Sequence, residues 1–513
     1  MKTDVLVVGA GPTGLALATQ LIRHGIDIIV IDKKDGTTPY SKAIGVQART
    51  LEIYDQIGLA DDLVARGWIA NKVRLVENGE IRGQIDLSEF GKGMSAFPFL
   101  LLVEQGKHEA MLYDHIRASG GDITWQTELV KVSQTDEGVT ADVKNASGQY
   151  DTIEAKYAVG CDGAHSLVRH SLGIDFGGST FERIFYVADV DIDWAYEHDA
   201  LHVNLGENTL TAFFPMVGDR RWRIVGTFPE GEKSEEGNIL FDEIEKQVTA
   251  DTKLKFDITN VNWFSTYKVH SRHVNKFSEG HCFLAGDSAH IHTPAGAQGM
   301  NTGIQDGYNL AWKLAQVLKA NAGAKLLDTY NEERLPNAHR LLQTTDRFFA
   351  LAASDEPVTT FFRQHIFPYI ANLALNIDAV KRFVFPLISQ IGINYRNSSL
   401  SSGDGFNVRA GDRMPYFEVE GASIYDRLRE PHFHIVNFYD GVKTIPPLST
   451  ESLESWNGQI DSTTVSLYPQ ISDVFGSRQS FYVLLRPDNY IGLISSDLTL
   501  ETLQNYLSIY QQA

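Results

Sequence analysis

A glycine-rich turn between two apolar segments near the N-terminus constrains the fold most. Residues 3–8 (TDVLVV) are apolar almost throughout, as in a buried parallel strand, and residues 26–31 (IDIIVI) repeat the pattern. Residues 13–24 between them have helical spacing, and Gly25 ends that helix. A strand, a helix and a second strand within about thirty residues predict a βαβ unit, and therefore an α/β fold on a parallel sheet.

The turn has the sequence GAGPTG at residues 9–14, and Asp32 ends the second strand. Gly9 permits the tight turn, Gly11 lets the backbone approach a pyrophosphate, and Gly14 allows the helix to pack closely on the strand. The helix N-terminus offers free N–H groups to phosphates, and a carboxylate at Asp32 can bind ribose hydroxyls. This pattern predicts dinucleotide binding without separating FAD from NAD. The alternative is a tight turn that binds nothing.

Two later segments also place an aspartate directly after a predicted strand. Asp162 lies in CDGAHSLVR (161–169) and can cap the helix that follows. Asp287 lies in GDSAH (286–290), which leads through a loop rich in glycine and alanine into a long helix. Asp287 can bind a polyol hydroxyl, and the helix N-terminus can stabilise a ring that becomes anionic on reduction. The alternatives are a capped surface helix for the first segment and a βα loop with a capping carboxylate for the second.

Composition excludes several classes of protein. The 513 residues include 45 Lys and Arg against 65 Asp and Glu, a net charge of −20, so nucleic acid and anionic membranes are poor partners. Two cysteines, Cys161 and Cys282, are too few for a disulfide framework or a four-thiolate metal site, which favours a reducing cytoplasm. No apolar run approaches the ~18 residues that span a bilayer. We therefore expect a cytoplasmic protein with no nucleic-acid and no membrane partner.

The remaining sequence divides into three parts. Alternating apolar and polar residues at 184–228 predict an antiparallel sheet, inserted into the first domain at about 175–275. The polar stretch at 396–405 predicts a linker. We therefore expect a first domain over 1–395 that includes the inserted sheet, and a separate α/β domain over 406–513.

Together the three aspartate-bearing motifs resemble the FAD-dependent aromatic hydroxylases, the single-component flavoprotein monooxygenases typified by para-hydroxybenzoate hydroxylase and phenol hydroxylase. The resemblance covers roughly residues 1–345, and its most specific part is GDSAHIHTPAGAQGMNTGIQDGYNLAWKL. Residues 406–513, with the string RPDNYIG, resemble the thioredoxin-like tail of the phenol and polyketide hydroxylases. The implied fold is a Rossmann-type FAD-binding domain with an inserted antiparallel-sheet substrate domain, followed by a thioredoxin-like α/β domain. That tail lacks Cys-x-x-Cys, which excludes a thiol redox role.

The resemblance implies a monooxygenase that uses NADPH or NADH, FAD and O₂ to hydroxylate an aromatic substrate, phenolic or polyketide-like, through a flavin C4a-hydroperoxide. The implied partners are the small aromatic substrate and O₂, and a homo-oligomer is compatible with the resemblance. The alternatives are a flavin-dependent reductase on the same scaffold and a flavin-binding protein without catalysis. The catalytic base is not identified, because Ile44 lies where phenol hydroxylase has an acidic residue.

Carried over residue by residue, the resemblance implies a cofactor site. Asp32 would bind the adenosine ribose, the Leu129 backbone the adenine, and Asp287 the ribityl chain, while residues 294–301 would line the isoalloxazine. Lys42 stands where relatives often carry an arginine. The full set of cofactor residues is Gly11, Pro12, Thr13, Gly14, Asp32, Lys33, Lys42, Gln105, Leu129, Asp162, Asp287, Pro294, Gly299, Met300 and Asn301.

Candidate substrate residues lie in the predicted inserted sheet and the flavin loop. They are Phe213, Pro215, Tyr267, His273 and Pro294. For the two in the FFP string the alternative is core packing, and for the tyrosine and histidine it is a solvated or packed polar role. Arg220, Arg221 and Arg223 indicate a turn and strand edge, with a contact to the nicotinamide phosphates as the alternative. His290 and His292 have H-x-H spacing, but other ligand types are scarce nearby, so we expect no metal site.

Overall fold

The computed structural model describes residues 1–39, 43–205, 209–229, 239–293, 295–320, 322–353, 377–442 and 460–511. Two predicted site residues, Lys42 and Pro294, lie outside the described residues. No helix in these ranges is long and apolar enough to cross a membrane.

The strands are β1 (Lys2–Val8), β2 (Ile28–Ile31), β3 (Gly45–Val46), β4 (Trp68–Ala70), β5 (Lys72–Glu77), β6 (Glu80–Asp86), β7 (Leu100–Leu102), β8 (Ile123–Thr124), β9 (Glu128–Thr135), β10 (Gly138–Lys144), β11 (Tyr150–Gly160), β12 (Phe176–Trp194), β13 (Leu201–Leu205), β14 (Leu210–Pro215), β15 (Arg221–Thr227), β16 (Phe256–Val274), β17 (Ser278–Glu279), β18 (Cys282–Leu284), β19 (His290–Ile291), β20 (Glu418–Val419), β21 (Ala422–Ser423), β22 (Phe433–Tyr439), β23 (Ile460–Ser466), β24 (Phe481–Leu485) and β25 (Ile491–Ser495). The helices are α1 (Pro12–Arg23), α2 (Ala48–Asp55), α3 (Ala60–Ala65), α4 (Gln105–Ala118), α5 (Leu167–Ser171), α6 (Phe241–Thr252), α7 (Gly299–Lys319), α8 (Asp328–Ala353), α9 (Asp378–Ile388), α10 (Pro469–Phe475) and α11 (Leu500–Gln511).

The first sheet is built around the predicted βαβ unit. Its central order is β17-β18-β11-β1-β2-β8, and β1 runs parallel to both β11 and β2. Strands β18 and β8 extend the parallel part on either side, while the β9–β10 hairpin attaches to β11. The strands are apolar nearly throughout because helices cover the sheet, and residues such as Val5, Leu6 and Val7 are fully buried. The mixed α/β fold is therefore as expected.

The second sheet, called here the substrate sheet after the role that the resemblance implies for it, has eight strands in the order β19-β16-β12-β15-β14-β13-β5-β6. Most of it comes from the stretch that the alternating pattern indicated. However, β5 and β6 (72–86) precede that stretch, and β5 joins the sheet by parallel pairing with β13. Neither strand was predicted, because their short, half-exposed sequences carry little apolar signal. Helix α6 covers one face, where Tyr186, Trp222 and Ile224 are buried.

The C-terminal part forms a four-stranded mixed sheet in the order β23-β22-β24-β25, with α10 and α11 in the same region of the chain. Residues 396–405 differ from the solvated linker that their composition suggested. Ser398 and Leu400 are buried, and the Ser402 amide donates a hydrogen bond to the Gly492 carbonyl. Small polar side chains let this stretch lie tightly against β25, so composition alone could not separate a packed segment from a free one.

Candidate active site

Four loops meet at one edge of the first sheet. Because β1, β2, β11 and β18 are parallel, the residues that follow them lie at the same carboxyl edge. Those residues are the 9–14 turn, Asp32, Asp162 and Asp287. The topology therefore gathers the three predicted motifs and the aspartate after β2 at the place where α/β folds bind ligands.

The 9–14 turn has the shape of a phosphate cradle. A Cβ on Gly14 would lie 1.9 Å from the Gly9 carbonyl oxygen, so only glycine allows α1 to approach the turn this closely. A Cβ on Gly11, in contrast, would meet no atom within 4 Å. Gly11 caps the N-terminus of α1, whose first-turn N–H groups have no intrahelical acceptor. The open space and the free donors fit an anionic pyrophosphate.

Asp32 lies beside this cradle. Its side chain is buried and accepts hydrogen bonds from the Ala10 amide at 2.6 Å and the Lys34 amide at 2.8 Å. The two amides fix the carboxylate next to the turn, where the acidic residue that binds a dinucleotide ribose lies in such folds. Lys33, which was also predicted at the cofactor, is exposed.

The GDSAH segment packs directly onto the 9–14 turn. A Cβ on Gly286 would lie 2.5 Å from Thr13 Oγ1, and a Cβ on Gly303 of α7 would lie 2.3 Å from the same atom. Arg169 ties the third motif to this group, since its guanidinium donates to the Ser288 carbonyl at 2.9 Å. Asp287, one residue earlier, is exposed at this edge.

Asp162 caps α5 as its position suggested. Its Oδ2 accepts hydrogen bonds from the amides of Leu167 (2.7 Å) and Val168 (3.2 Å). Its Oδ1 is buried and has no hydrogen-bond partner among the described residues. Burial raises the pKa of this carboxyl, although hydrogen bonds from Ser166 and the α5 backbone oppose that shift. A carboxylate oxygen without a partner at this edge is suited to accept a hydrogen bond from a ligand hydroxyl.

The start of α7 is fastened to residues 43–47, called here the 43–47 segment. The Asn301 side chain accepts from the Gln47 amide and the Thr50 hydroxyl, and it donates to the carbonyls of Gly45 and Ala297. These four bonds use the full capacity of the amide. Asn301 therefore holds the loop in place through these four hydrogen bonds. Gly299 and Met300 beside it are half-buried.

His290 belongs to a buried network beneath that loop. Its Nε2 lies 2.8 Å from Asp306 Oδ2, and Arg334 Nε donates to the other Asp306 oxygen at 2.6 Å. Although burial opposes ionisation, Arg334 and His290 lower the pKa of Asp306. No group of three or more His, Cys, Asp or Glu side chains in the described ranges could hold a metal ion.

Gln105 and Leu129 lie on α4 and β9. Gln105 begins α4, where its Oε1 accepts from the Ala43 amide at 3.1 Å and its Nε2 donates to Glu109 at 2.8 Å. Leu129 is buried in β9, across from Val143. The first therefore contacts the 43–47 segment, and the side chain of the second belongs to the core.

The substrate sheet presents its second face toward the first domain. Paired positions across its central strands place Phe214, Arg223, Asp189 and Trp263 in one row on that face. Phe214 packs with the cluster that contains Ile44. Phe214 and Trp263 are half-buried, so part of each aromatic ring is exposed.

Two predicted substrate residues lie on the opposite face. Phe213 and Pro215 alternate with Phe214, so they point toward α6, and Phe213 is fully buried against Trp194 and Phe256. The FFP string contains aromatic residues on both faces, and without the register the sequence could not tell which one faces the first domain. Both residues therefore belong to the core of this sheet.

Tyr267 and His273 have different surroundings although both lie in β16. Tyr267 stacks on Phe185 with ring centroids 5.8 Å apart, on the same face as Phe214. Burial outweighs the opposing charge of Arg223 and raises the pKa of Tyr267 to about 12, so the phenol stays neutral near pH 7. His273 lies further along, with its Nδ1 3.1 Å from His339 Nε2. The structure does not bring it to the tyrosine.

Comparison with known proteins identifies the family. A family model described as an FAD binding domain matches residues 2–345. A flavin-dependent monooxygenase of Mycobacteroides abscessus is 32% identical over 96% of this chain and 97% of its own length. 6-Methylpretetramide 4-monooxygenase of Streptomyces rimosus is 34% identical over 78% of this chain and 72% of its own. The solved structure of OxyS anhydrotetracycline hydroxylase from Streptomyces rimosus superposes with a TM-score of 0.77 at 26% identity and covers 100% of both chains.

The chain belongs to the family of FAD-dependent aromatic monooxygenases. Its cofactor is FAD, and its reaction is a monooxygenation. The family and the activity implied by the sequence motifs are thereby confirmed.

Sequence reasoning missed one feature of this monooxygenase. Arg223 is wholly buried and holds Asp189 through two hydrogen bonds of 2.6 and 2.7 Å, whereas the RRWR string indicated an exposed strand edge. One signal was present, because an aspartate interrupts the apolar run of β12 and an arginine interrupts that of β15. Charged residues inside two neighbouring buried strands indicate a pair.

Proposed function

We propose that this monooxygenase takes electrons from NADPH or NADH and hydroxylates a phenolic or polyketide-like ring. The ring would lie beside the 43–47 segment, against the aromatic face of the substrate sheet, defined as Phe185, Phe214, Trp263 and Tyr267. The observation that carries this proposal is the direction of that face. Phe214 on that face packs with Ile44 of the 43–47 segment, which supports a cleft shared by cofactor and ring.

The residues at the carboxyl edge fit FAD. We assign the pyrophosphate to Gly11, Thr13 and Gly14, and the adenosine ribose to Asp32. We assign the ribityl chain to Asp287. Bound there, FAD supplies the redox chemistry with O₂ that side chains lack.

The isoalloxazine would meet Gly299 and Met300, where the N-terminus of α7 offers N–H groups and the positive end of its dipole to the reduced ring. Asn301 holds this loop in place through its four hydrogen bonds. Gln105 acts on the isoalloxazine indirectly, through its hydrogen bond with the Ala43 amide. The protein thus orients the ring and stabilises negative charge on it.

The aromatic face binds and orients the substrate ring. Half-buried rings such as Phe214 and Trp263 provide planar apolar contact, and their burial by a bound ring would exclude water from the reacting edge. Tyr267 remains a neutral hydroxyl that can donate a hydrogen bond to a phenolic oxygen. Multi-ring phenols suit such a surface, in line with the anhydrotetracycline hydroxylase and the 6-methylpretetramide 4-monooxygenase among the relatives.

We also propose the finer domain layout. Residues 1–395 would form the FAD-binding domain with the substrate sheet inserted, and residues 406–513 a thioredoxin-like domain with a structural role. Supporting this role, Arg486 of that region forms buried ion pairs with Glu333 of α8, and no Cys-x-x-Cys is present in its sequence. Because burial raises the pKa of both cysteine thiols, they suit a reducing cytoplasm as inert core residues.

The cofactor assignment is tested by titrating apoprotein with FAD. Asp287→Ala should weaken FAD binding by about 1–3 kcal/mol, the range for loss of a hydrogen bond to a charged group. The matched control is Asp404→Ala, which removes an exposed carboxylate in a loop remote from the carboxyl edge. An unchanged dissociation constant for Asp287→Ala would contradict the ribityl assignment.

A further inference from the structure

We propose that Arg223, oriented by Asp189, is a positioning residue that holds the 43–47 segment against the substrate sheet. It would act on the cofactor and the substrate only through that segment. The inference deepens the proposed function, because it rests on the placement of the 43–47 segment beside the flavin.

The geometry of the Arg223–Asp189 pair is fixed by strand pairing and by hydrogen bonds. Arg223 and Asp189 are directly paired across β15 and β12, and their side chains are 1% and 7% exposed. Nε and Nη2 of the arginine donate to the two carboxylate oxygens at 2.6 and 2.7 Å. Such a fork fixes the plane of the guanidinium and not only its charge. The remaining nitrogen, Nη1, is thereby aimed in one direction.

Nη1 points at the 43–47 segment. It lies 3.4 Å from the Ala43 carbonyl oxygen, which also accepts from the Gln105 amide at 3.3 Å. On its other side, the Ala43 amide donates to Gln105 Oε1 at 3.1 Å. Ala43 is therefore held by the start of α4 and by the substrate sheet together.

The rest of the segment transmits this position to the flavin loop. Gly45 is in such close contact with Ala297 that a Cβ on the glycine would lie 2.5 Å from the alanine methyl. Gln47 Nε2 donates to the Gly296 carbonyl at 2.9 Å. A shift of Ala43 would therefore move Gly45 and Gln47, which contact the 295–297 loop.

Stability alone does not require an ion pair at this place. Buried pairs can be replaced by apolar residues of similar volume at little cost, because the desolvation penalty offsets the attraction. A guanidinium provides directed donors, which apolar side chains do not. The structure thus assigns the pair a geometric role, and that role predicts a local effect when the pair is replaced.

The same sheet offers a matched control. Arg74 on β5 holds Asp199 through two hydrogen bonds of 2.6 and 3.1 Å. Arg74 Nε also donates to the Gln84 side chain, so the pair resembles Arg223 and Asp189 in chemistry but links β5 to β6 and to the turn before β13. Replacing it changes charge and stability without touching Ala43.

The experiment is hydrogen exchange by mass spectrometry on the FAD-loaded protein, read for peptides covering the 43–47 segment. Asp189→Leu/Arg223→Met should speed exchange there about two- to tenfold, the factor for losing one hydrogen bond. Arg74→Met/Asp199→Leu should leave those peptides unchanged. Arg223→Lys, which keeps the charge but not the fork, should fall between wild type and the double variant.

Unchanged exchange in the Asp189/Arg223 variants, or an equal increase in the control, would overturn the proposal. The proposed function is judged separately by the visible flavin absorbance of the wild-type protein. A colourless wild-type protein would contradict the cofactor assignment, whereas the exchange rates, which can also be read on that protein, decide the role of Arg223.

Discussion

The part of the molecule built on the first sheet makes two junctions of different character. Its junction with the C-terminal sheet, called the C-terminal junction, is centred on Glu333, Lys313 and Arg486, whose side chains are all 0% exposed. Its junction with the substrate sheet is half-exposed. There Arg221 meets Glu104 at 3.3 Å with side chains 29% and 17% exposed.

The difference separates a fixed contact from one that must admit a ligand. At the C-terminal junction Glu333 accepts from Asn309, Lys313, Ser398 and Arg486, which leaves no room for a small molecule. At the substrate junction, the rings of Phe214 and Trp263 are half-buried, so part of their apolar surface is exposed. A dense ionic network favours one geometry, whereas an incomplete apolar contact is suited to binding.

The largest expected effect comes from breaking the C-terminal junction. Arg486→Met leaves the buried carboxylates of Glu333 and Asp488 short of a partner and should lower the free energy of unfolding by about 3–5 kcal/mol. Arg427→Met is the control, because its ion pair with Glu420 is exposed and should be worth about 0–1 kcal/mol. Equal losses of unfolding free energy in the two variants, measured by urea denaturation, would show that the ionic network does not stabilise the junction.

Adjacent phenylalanines test the two faces of the substrate sheet. Phe213→Ala empties a fully buried site and should cost about 3–4 kcal/mol of unfolding free energy. Phe214→Ala removes a half-buried ring and should cost about 1 kcal/mol, roughly half of full burial.

In substrate binding the order should reverse, so Phe214→Ala should raise the KM for the aromatic substrate more than Phe213→Ala does. Thermal melts and steady-state kinetics with one phenolic substrate measure both quantities. A KM change confined to Phe213→Ala would contradict our assignment, because it would place the substrate on the opposite face of the sheet.

The smallest effect is a loss of stability in acid. Burial would raise the pKa of Glu333, but Arg486 and Lys313 outweigh it and lower the pKa to about 2. Since the folded-state pKa lies below the unfolded value, this stabilisation is present above about pH 4.5 and is lost as the pH falls toward 2. Between pH 6 and 4 the loss from Glu333 is about 1 kcal/mol. Melting temperatures that stay constant over this range would contradict the pairing, and Glu333→Gln should flatten the pH dependence.

The cofactor edge was predictable from the sequence because each of its features is local. The 9–14 turn, Asp32 and Asp287 follow apolar strands directly, so strand order and backbone chemistry suffice to bring them together.

The pairings across distant segments were not predictable. Arg486 meets a carboxylate 153 positions earlier in the chain, and Arg223 meets one 34 positions earlier on another strand. Register decides such pairs, and one residue of slip exchanges the faces, so the sequence could not tell on which face each of Phe213 and Phe214 lies. The packed stretch around Leu400 shows the same limit, since its small polar residues also suit a solvated linker.

The central claim is that this chain, loaded with FAD, inserts oxygen into an aromatic ring. The most direct measurement supplies isotopically labelled O₂, NADPH or NADH, and a panel of phenols and tetracycline-type polyphenols to the purified yellow protein. The account predicts a hydroxylated product that carries one labelled oxygen atom, formed as NADPH or NADH is oxidised. Oxidation of either nucleotide that yields only reduced flavin or hydrogen peroxide, with no label in any product across the panel, would contradict it.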